Sequence, residues 1–183
     1  MHLIARLVDL ASKAVLILAG IALVLMMLHV VADIGGKYLF AQPIAGTTRI
    51  VSWYYMVAVA FLPAAYVQLQ REHLVVELFT MALSERQRAV IEGVMGLGII
   101  LYTGLLTKLV YGSAVKSTLR GEYTDESFFD LPVWPARWML PLAFGLLTLV
   151  FAIQTLDDWW FALRGKRLLP RTRAKSAATV PDV

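Results

Sequence analysis

Residues 14–32, 50–70, 93–107 and 138–156 contain no Asp, Glu, Lys or Arg. Polar and charged positions gather in the short segments between them. A continuous apolar run predicts a helix that is apolar all round, unlike the one-sided stripe of a water-soluble domain. A hydrocarbon core about 30 Å thick takes roughly 20 helical residues to cross. Three runs come close to that alone. The run at 93–107 covers only about 22 Å at the helical rise. It therefore borrows from its flanks, with Glu92 near one interface and Lys108 snorkelling to the other. The predicted fold class is all-α integral membrane, with four transmembrane helices over about residues 12–33, 49–70, 89–113 and 136–160. Residues 1–168 form the membrane domain, and 169–183 read as a basic, disordered tail.

Local signals refine the ends. Residues 41–47, with Pro43 and Gly46, break the chain between the first two helices, and Thr47 or Thr48 suits the cap of the second. Trp53, Tyr54 and Tyr55 form an interfacial aromatic cluster. Pro63 predicts a kink that frees the carbonyl of Val59. Ala60 and Ala64 offer a small-residue pair for close helix approach. In residues 71–83, Arg71, Glu72, His73 and Glu77 alternate with apolar positions. That segment is too polar to span and reads as a short amphipathic helix in the interface. Ser84 and Gln87 have capping-box spacing for the third helix. On that helix Gly93 and Gly104, three turns apart, share a face suited to tight packing. Pro135 fits the first turn of the fourth helix, with Trp134 and Trp138 at the interface and Pro141 placed to bend the next turn. The fourth helix ends at Asp157, Asp158, Trp159 and Trp160.

Charge adds orientation. With the termini and the second connection on one side, that side holds eleven Lys and Arg and the other six. Basic residues in short loops mark the cytoplasmic side, so both termini are expected to be cytoplasmic. The first run resembles a signal peptide in its basic start, but 19 apolar residues exceed a typical h-region of about 7–15. A retained helix is expected.

Composition narrows the chemistry. There is no cysteine among the 183 residues, which removes disulfides, thiolate catalysis and cysteine metal sites. There is no Gly-rich phosphate loop, triad or metal-ligand cluster, and no nucleic-acid partner is expected. An intramembrane enzyme or ion pathway places acids, bases or His inside its helices; here the runs contain only His29. His29 and His73 invite a haem between them, but the predicted topology puts them at opposite interfaces, about 30 Å apart. No cofactor is expected. Glu92 and Lys108 could form a relay, though charges at helix ends ordinarily anchor the helix in the interface. The acidic third connection, with Glu122, Asp125, Glu126 and Asp130 around Tyr123, Phe128 and Phe129, reads as a docking surface or a solvated loop. The basic tail reads as positive-inside bias or as a phospholipid contact.

Residues 37–92 resemble the small membrane subunit, DctQ-type, of the tripartite ATP-independent periplasmic (TRAP) transporters. The residues that carry the resemblance are Tyr38, Leu39 and Phe40; Pro43, Ile44, Ala45, Gly46 and Thr47; Trp53; and His73 to Glu77 after the second helix. Residues 131–137, ending in Trp134, Pro135, Ala136 and Arg137, with Leu140 and Pro141, resemble the family's entry to its fourth helix. One departure is Arg49, where the family commonly has an acid at the start of the second helix. A basic residue there suits a lipid phosphate or the acidic third connection.

The resemblance implies a non-catalytic small permease subunit in the inner membrane. It would scaffold a large multi-helix subunit that moves an organic acid, with transient contact to a periplasmic substrate-binding protein. Arg49, Trp53, His73, Glu77, Gly93, Gly104, Trp134 and Arg137 are the candidate partner or lipid contacts. Two other readings fit the four runs: the membrane anchor of a redox enzyme, and the small subunit of a tricarboxylate-type tripartite carrier.

Overall fold

The computed structural model describes residues 2–69, 84–125 and 130–165. The expected interfacial helix at 71–83, with His73 and Glu77, lies outside the described residues, as do Glu126, Phe128, Phe129 and the 169–183 tail. Four long helices dominate: α1 (His2–Phe40), α2 (Thr47–Leu69), α3 (Glu85–Arg120) and α4 (Trp134–Arg164). Each is long and apolar enough to cross a membrane. Between α3 and α4 the chain forms a small antiparallel hairpin, β1 (Tyr123–Asp125) and β2 (Asp130–Pro132), in which Thr124 faces Leu131.

Three helices exceed the bilayer's needs. At 1.5 Å per residue, the 39 residues of α1 and 36 of α3 span more than about 50 Å. A core of about 30 Å therefore leaves several turns projecting. The expected end of α4 at Trp160 is corrected: the helix runs on to Arg164 and stops at Gly165, whose φ of 69° supplies the left-handed turn.

The start and stop signals have visible causes. Ser84 Oγ accepts from the Gln87 N–H, and Gln87 Oε1 accepts from the Ser84 N–H at 3.1 Å, a complete capping box. The start of α2 differs from expectation. Gly46, at φ 80°, occupies the cap without a side-chain bond, and Thr47 turns its hydroxyl back to the Ile44 carbonyl at 3.0 Å. The first turns of α2 widen into a π-helical stretch (Val51–Tyr55), and the helix breaks at Leu62 and Pro63. There the proline lacks the N–H that Val59 would have used. Pro141 acts likewise on α4, whose regular hydrogen bonding falters one turn earlier at Trp138.

α4 is the hub. It packs along α3 in an antiparallel pair and meets α2 and α1 on its other side; α1 also packs on α2. Val15, Ala19, Ala58, Leu62 and Ala143 form one core cluster, and Val8, Ala65 and Val150 a second. The close-packed face of α2 is therefore Ala58, Leu62 and Ala65. The expected pair does not make it, since Ala60 is exposed and Ala64 only half-buried.

Candidate functional site

Two groups of side chains fix the helices to one another, one at each end, and a neutral polar pair joins the one opposite the hairpin. At the hairpin end, the C-terminal turns of α3 and the first turn of α4 meet across the hairpin. Arg137 donates from Nη2 to Glu122 Oε1 at 2.5 Å and from Nη1 to Ser113 Oγ at 3.2 Å. Its guanidinium also sits 5.8 Å from the Trp53 ring of α2, close enough for a cation–π contact. The Val133 N–H donates to the Glu122 carbonyl at 2.9 Å, so the same residue ties the backbone. Arg137 beside it holds the Glu122 carboxyl below the usual carboxylate range. Trp138 Nε1 donates to Thr118 Oγ1 at 2.9 Å and its ring meets Tyr111 edge-on. From α2, the Tyr54 hydroxyl donates to the Pro132 carbonyl.

The α1–α2 turn completes this end. Asp33 Oδ1 accepts from the Ile44 N–H at 2.6 Å. His29 Nε2 lies 3.4 Å from Thr47 Oγ1, and its ring packs edge-on against Tyr55 at 6.0 Å. His29 is thus engaged by α2 within its own chain. Among the described residues no three His, Cys, Asp or Glu side chains converge as a metal site would require.

At the other end, α3 and α4 interlock through glycines. A Cβ on Gly93 would lie 2.9 Å from Trp159 Nε1, and one on Gly96 would overlap the Thr155 hydroxyl. Gly104 has nothing within 4 Å of its would-be Cβ. Arg86 Nε donates to the Ala162 carbonyl at 2.8 Å, one of the acceptors left open at a helix C-terminus. Arg88 and Glu92 pair at 2.8 Å along α3, and Arg164 stacks over Trp160 at 4.1 Å. Asp157 and Asp158 are 4% and 3% exposed, so residues read from sequence as the end of a helix are buried within it.

Beside Thr155 at this same end, Gln68 Nε2 of α2 donates to Gln154 Oε1 of α4 at 2.8 Å, and Gln154 Nε2 donates to the main-chain carbonyl of Gln68 at 3.0 Å. Both side chains are buried. Sequence reasoning missed this pair because a neutral amide does not interrupt a charge-free run.

The candidate residues thus fall in three places. Trp53 and Arg137 come together, with Glu122 and Ser113 as partners that only the folded chain reveals. Arg49 is exposed in the first turn of α2, and Trp134, 39% exposed, opens α4. Gly93 is buried at the opposite end, and Gly104 stands half-buried on α3 with room beside it.

Residues 26–160 match the family model described as "Tripartite ATP-independent periplasmic transporters, DctQ component". That match spans well over half of the chain. No curated protein and no solved structure matches.

Proposed function

Given that this chain belongs to the family of DctQ components of the tripartite ATP-independent periplasmic transporters, we propose that it is a static scaffold for the large transport subunit during uptake of an organic acid. It is a small permease subunit of a TRAP transporter, a multi-pass membrane protein of a transport family rather than an enzyme family. The observation that carries the scaffolding role is the distribution of polar groups. Four runs of 15 to 21 residues carry no charge, and the polar side chains that bridge α2, α3 and α4 join one helix of the chain to another. A subunit that moved a charged substrate would place charge along its path. This one invests its polar groups in holding its own helices in register.

The finer reading follows the same logic. The hairpin end faces the periplasm and both termini lie in the cytoplasm, as the excess of Lys and Arg on the terminal side favours. The amphipathic segment at 71–83 lies in the cytoplasmic interface. Arg49 and Trp134 meet phospholipid headgroups, and a periplasmic substrate-binding protein docks transiently on the hairpin side.

Reconstitution tests the role. Proteoliposomes holding the large subunit, the binding protein and this chain should take up the organic acid. Vesicles holding this chain and the binding protein without the large subunit should show no uptake. Flux through the latter would overturn the scaffold reading.

A further inference from the structure

Among the described residues, Tyr102 places near the middle of the bilayer a hydroxyl that no other side chain or carbonyl of the chain accepts from. Tyr102 of α3 lies two residues past the midpoint of the 93–107 run, about 3 Å along the axis. Its side chain is 64% exposed. The threonine hydroxyls of α3 and α4 near that depth are satisfied internally. Thr103 donates to the Ile99 carbonyl at 2.8 Å, Thr107 to the Thr103 carbonyl at 2.8 Å and Thr148 to the Phe144 carbonyl at 2.7 Å. The interface is about 15 Å from mid-bilayer, beyond the reach of a tyrosine ring. A phenol facing acyl chains has nothing to donate to, and an unsatisfied polar group there is costly.

The surface around Tyr102 differs from the other exposed faces. Gly98, one turn before it on the same side of α3, has open space where a Cβ would be. The glycine next to the tyrosine makes a notch that lets another helix backbone come close. Met95, Leu105 and Leu109, all more than half exposed, flank the notch along the helix. At matching depth α1 exposes Ile21, Leu23, Val24, Leu25, Met27 and Leu28 and has an open glycine of its own, Gly20, but no hydroxyl, and the exposed side of α4 is the leucine row Leu142, Leu149 and Leu156. Those faces ask nothing of hydrocarbon. The α3 face does.

We propose that the Tyr102 face of α3 is the seat of a transmembrane helix of the large subunit, which presents a hydrogen-bond acceptor to the Tyr102 hydroxyl at mid-bilayer depth. This rests on the scaffold reading and adds the face through which it acts. A lipid tail supplies no acceptor, so a protein helix is the occupant that the hydroxyl selects. α1 and the leucine row of α4 face lipid.

The absence of cysteine from this chain makes the test direct. Tyr102→Cys and, at matching depth on α1, Val24→Cys are each labelled with a benzophenone maleimide in membranes holding the complete transporter, then irradiated. An adduct of this chain with the large subunit from position 102 and none from position 24 is the expected result. Adducts with the large subunit from position 24 alone would overturn the assignment of the face and leave the scaffold reading standing. Position 102 joining to a second copy of this chain, or only to lipid, would also overturn it. No adduct with the large subunit from either position would sink both readings. Tyr102→Phe, which removes only the hydroxyl, should weaken association with the large subunit in detergent about threefold, the scale of an average hydrogen bond between membrane helices. Unchanged association would remove the hydrogen bond from the proposal.

Discussion

Arg137 opens α4 by reaching back to Glu122, the second residue beyond the end of α3, at 2.5 Å. One ion pair thereby closes the connection that the hairpin spans. Because Arg137 also lies over Trp53, the pair sets α3, α4 and the start of α2 relative to each other. Arg137 holds the Glu122 carboxyl below its ordinary range. The stability that the pair contributes is therefore complete above the ordinary glutamate pKa, and it disappears as pH falls through the depressed value. Glu122→Gln should lower thermal stability in detergent at neutral pH, and the gap from the parent should close on acidification. The side chains are 32% and 37% exposed, so solvent screening limits the effect to below about 1 kcal/mol. Melting curves of both proteins between pH 7 and pH 3 check it; a gap that widens on acidification would contradict the assignment.

The glycine contacts at the opposite end predict a graded series. Gly96→Ala puts a methyl into the Thr155 side chain and Gly93→Ala puts one against the Trp159 ring. Each should destabilise the α3–α4 pair by roughly 1–3 kcal/mol, the usual range for overpacking. Gly104→Ala meets open space and should leave the isolated subunit as stable as before. Size-exclusion profiles after stepwise heating would separate the three; equal loss at position 104 would count against this packing.

Gln68 and Gln154 should behave as a unit. Gln68→Leu removes the donor to Gln154 Oε1 while the main-chain carbonyl at position 68 still accepts from Gln154 Nε2, at a cost of about 1–3 kcal/mol. The Gln68→Leu/Gln154→Leu double variant removes both amides and should recover part of that loss. A double-mutant cycle should give a coupling near 0.6 kcal/mol, the membrane average. Additive single losses would mean that the two amides do not recognise each other.

Much of this architecture is legible in the sequence, for one dominant physical reason. Charge is so costly in hydrocarbon that the four spans announce themselves by its absence. The capping box at Ser84 and the proline in the first turn of α4 are equally local, and the chain uses both as expected. What the sequence hides depends on the fold. Spacing alone does not say whether Ala60 and Ala64 or Ala58 and Ala65 face the neighbours, because small residues mark both sides of α2. Asp157 and Asp158 resemble the polar end of a span, yet the folded chain buries both, in a helix that runs on to Arg164. The hairpin strands are three residues each, too short for alternation to show. The Arg137–Glu122 pair lies 15 residues apart in sequence, within reach only once the connection folds back.

The scaffold claim concerns motion, and fixing α3 to α4 tests it most directly. Thr107 and Thr148 bring their hydroxyl oxygens within 3.5 Å across that interface. In a chain without native cysteine, Thr107→Cys/Thr148→Cys can be closed to a disulfide with copper phenanthroline in the assembled transporter. A static subunit predicts organic-acid uptake by the oxidised variant within twofold of the reduced one. Uptake that collapses on oxidation and returns on reduction would show that α3 moves against α4 during transport, and would contradict the scaffold role.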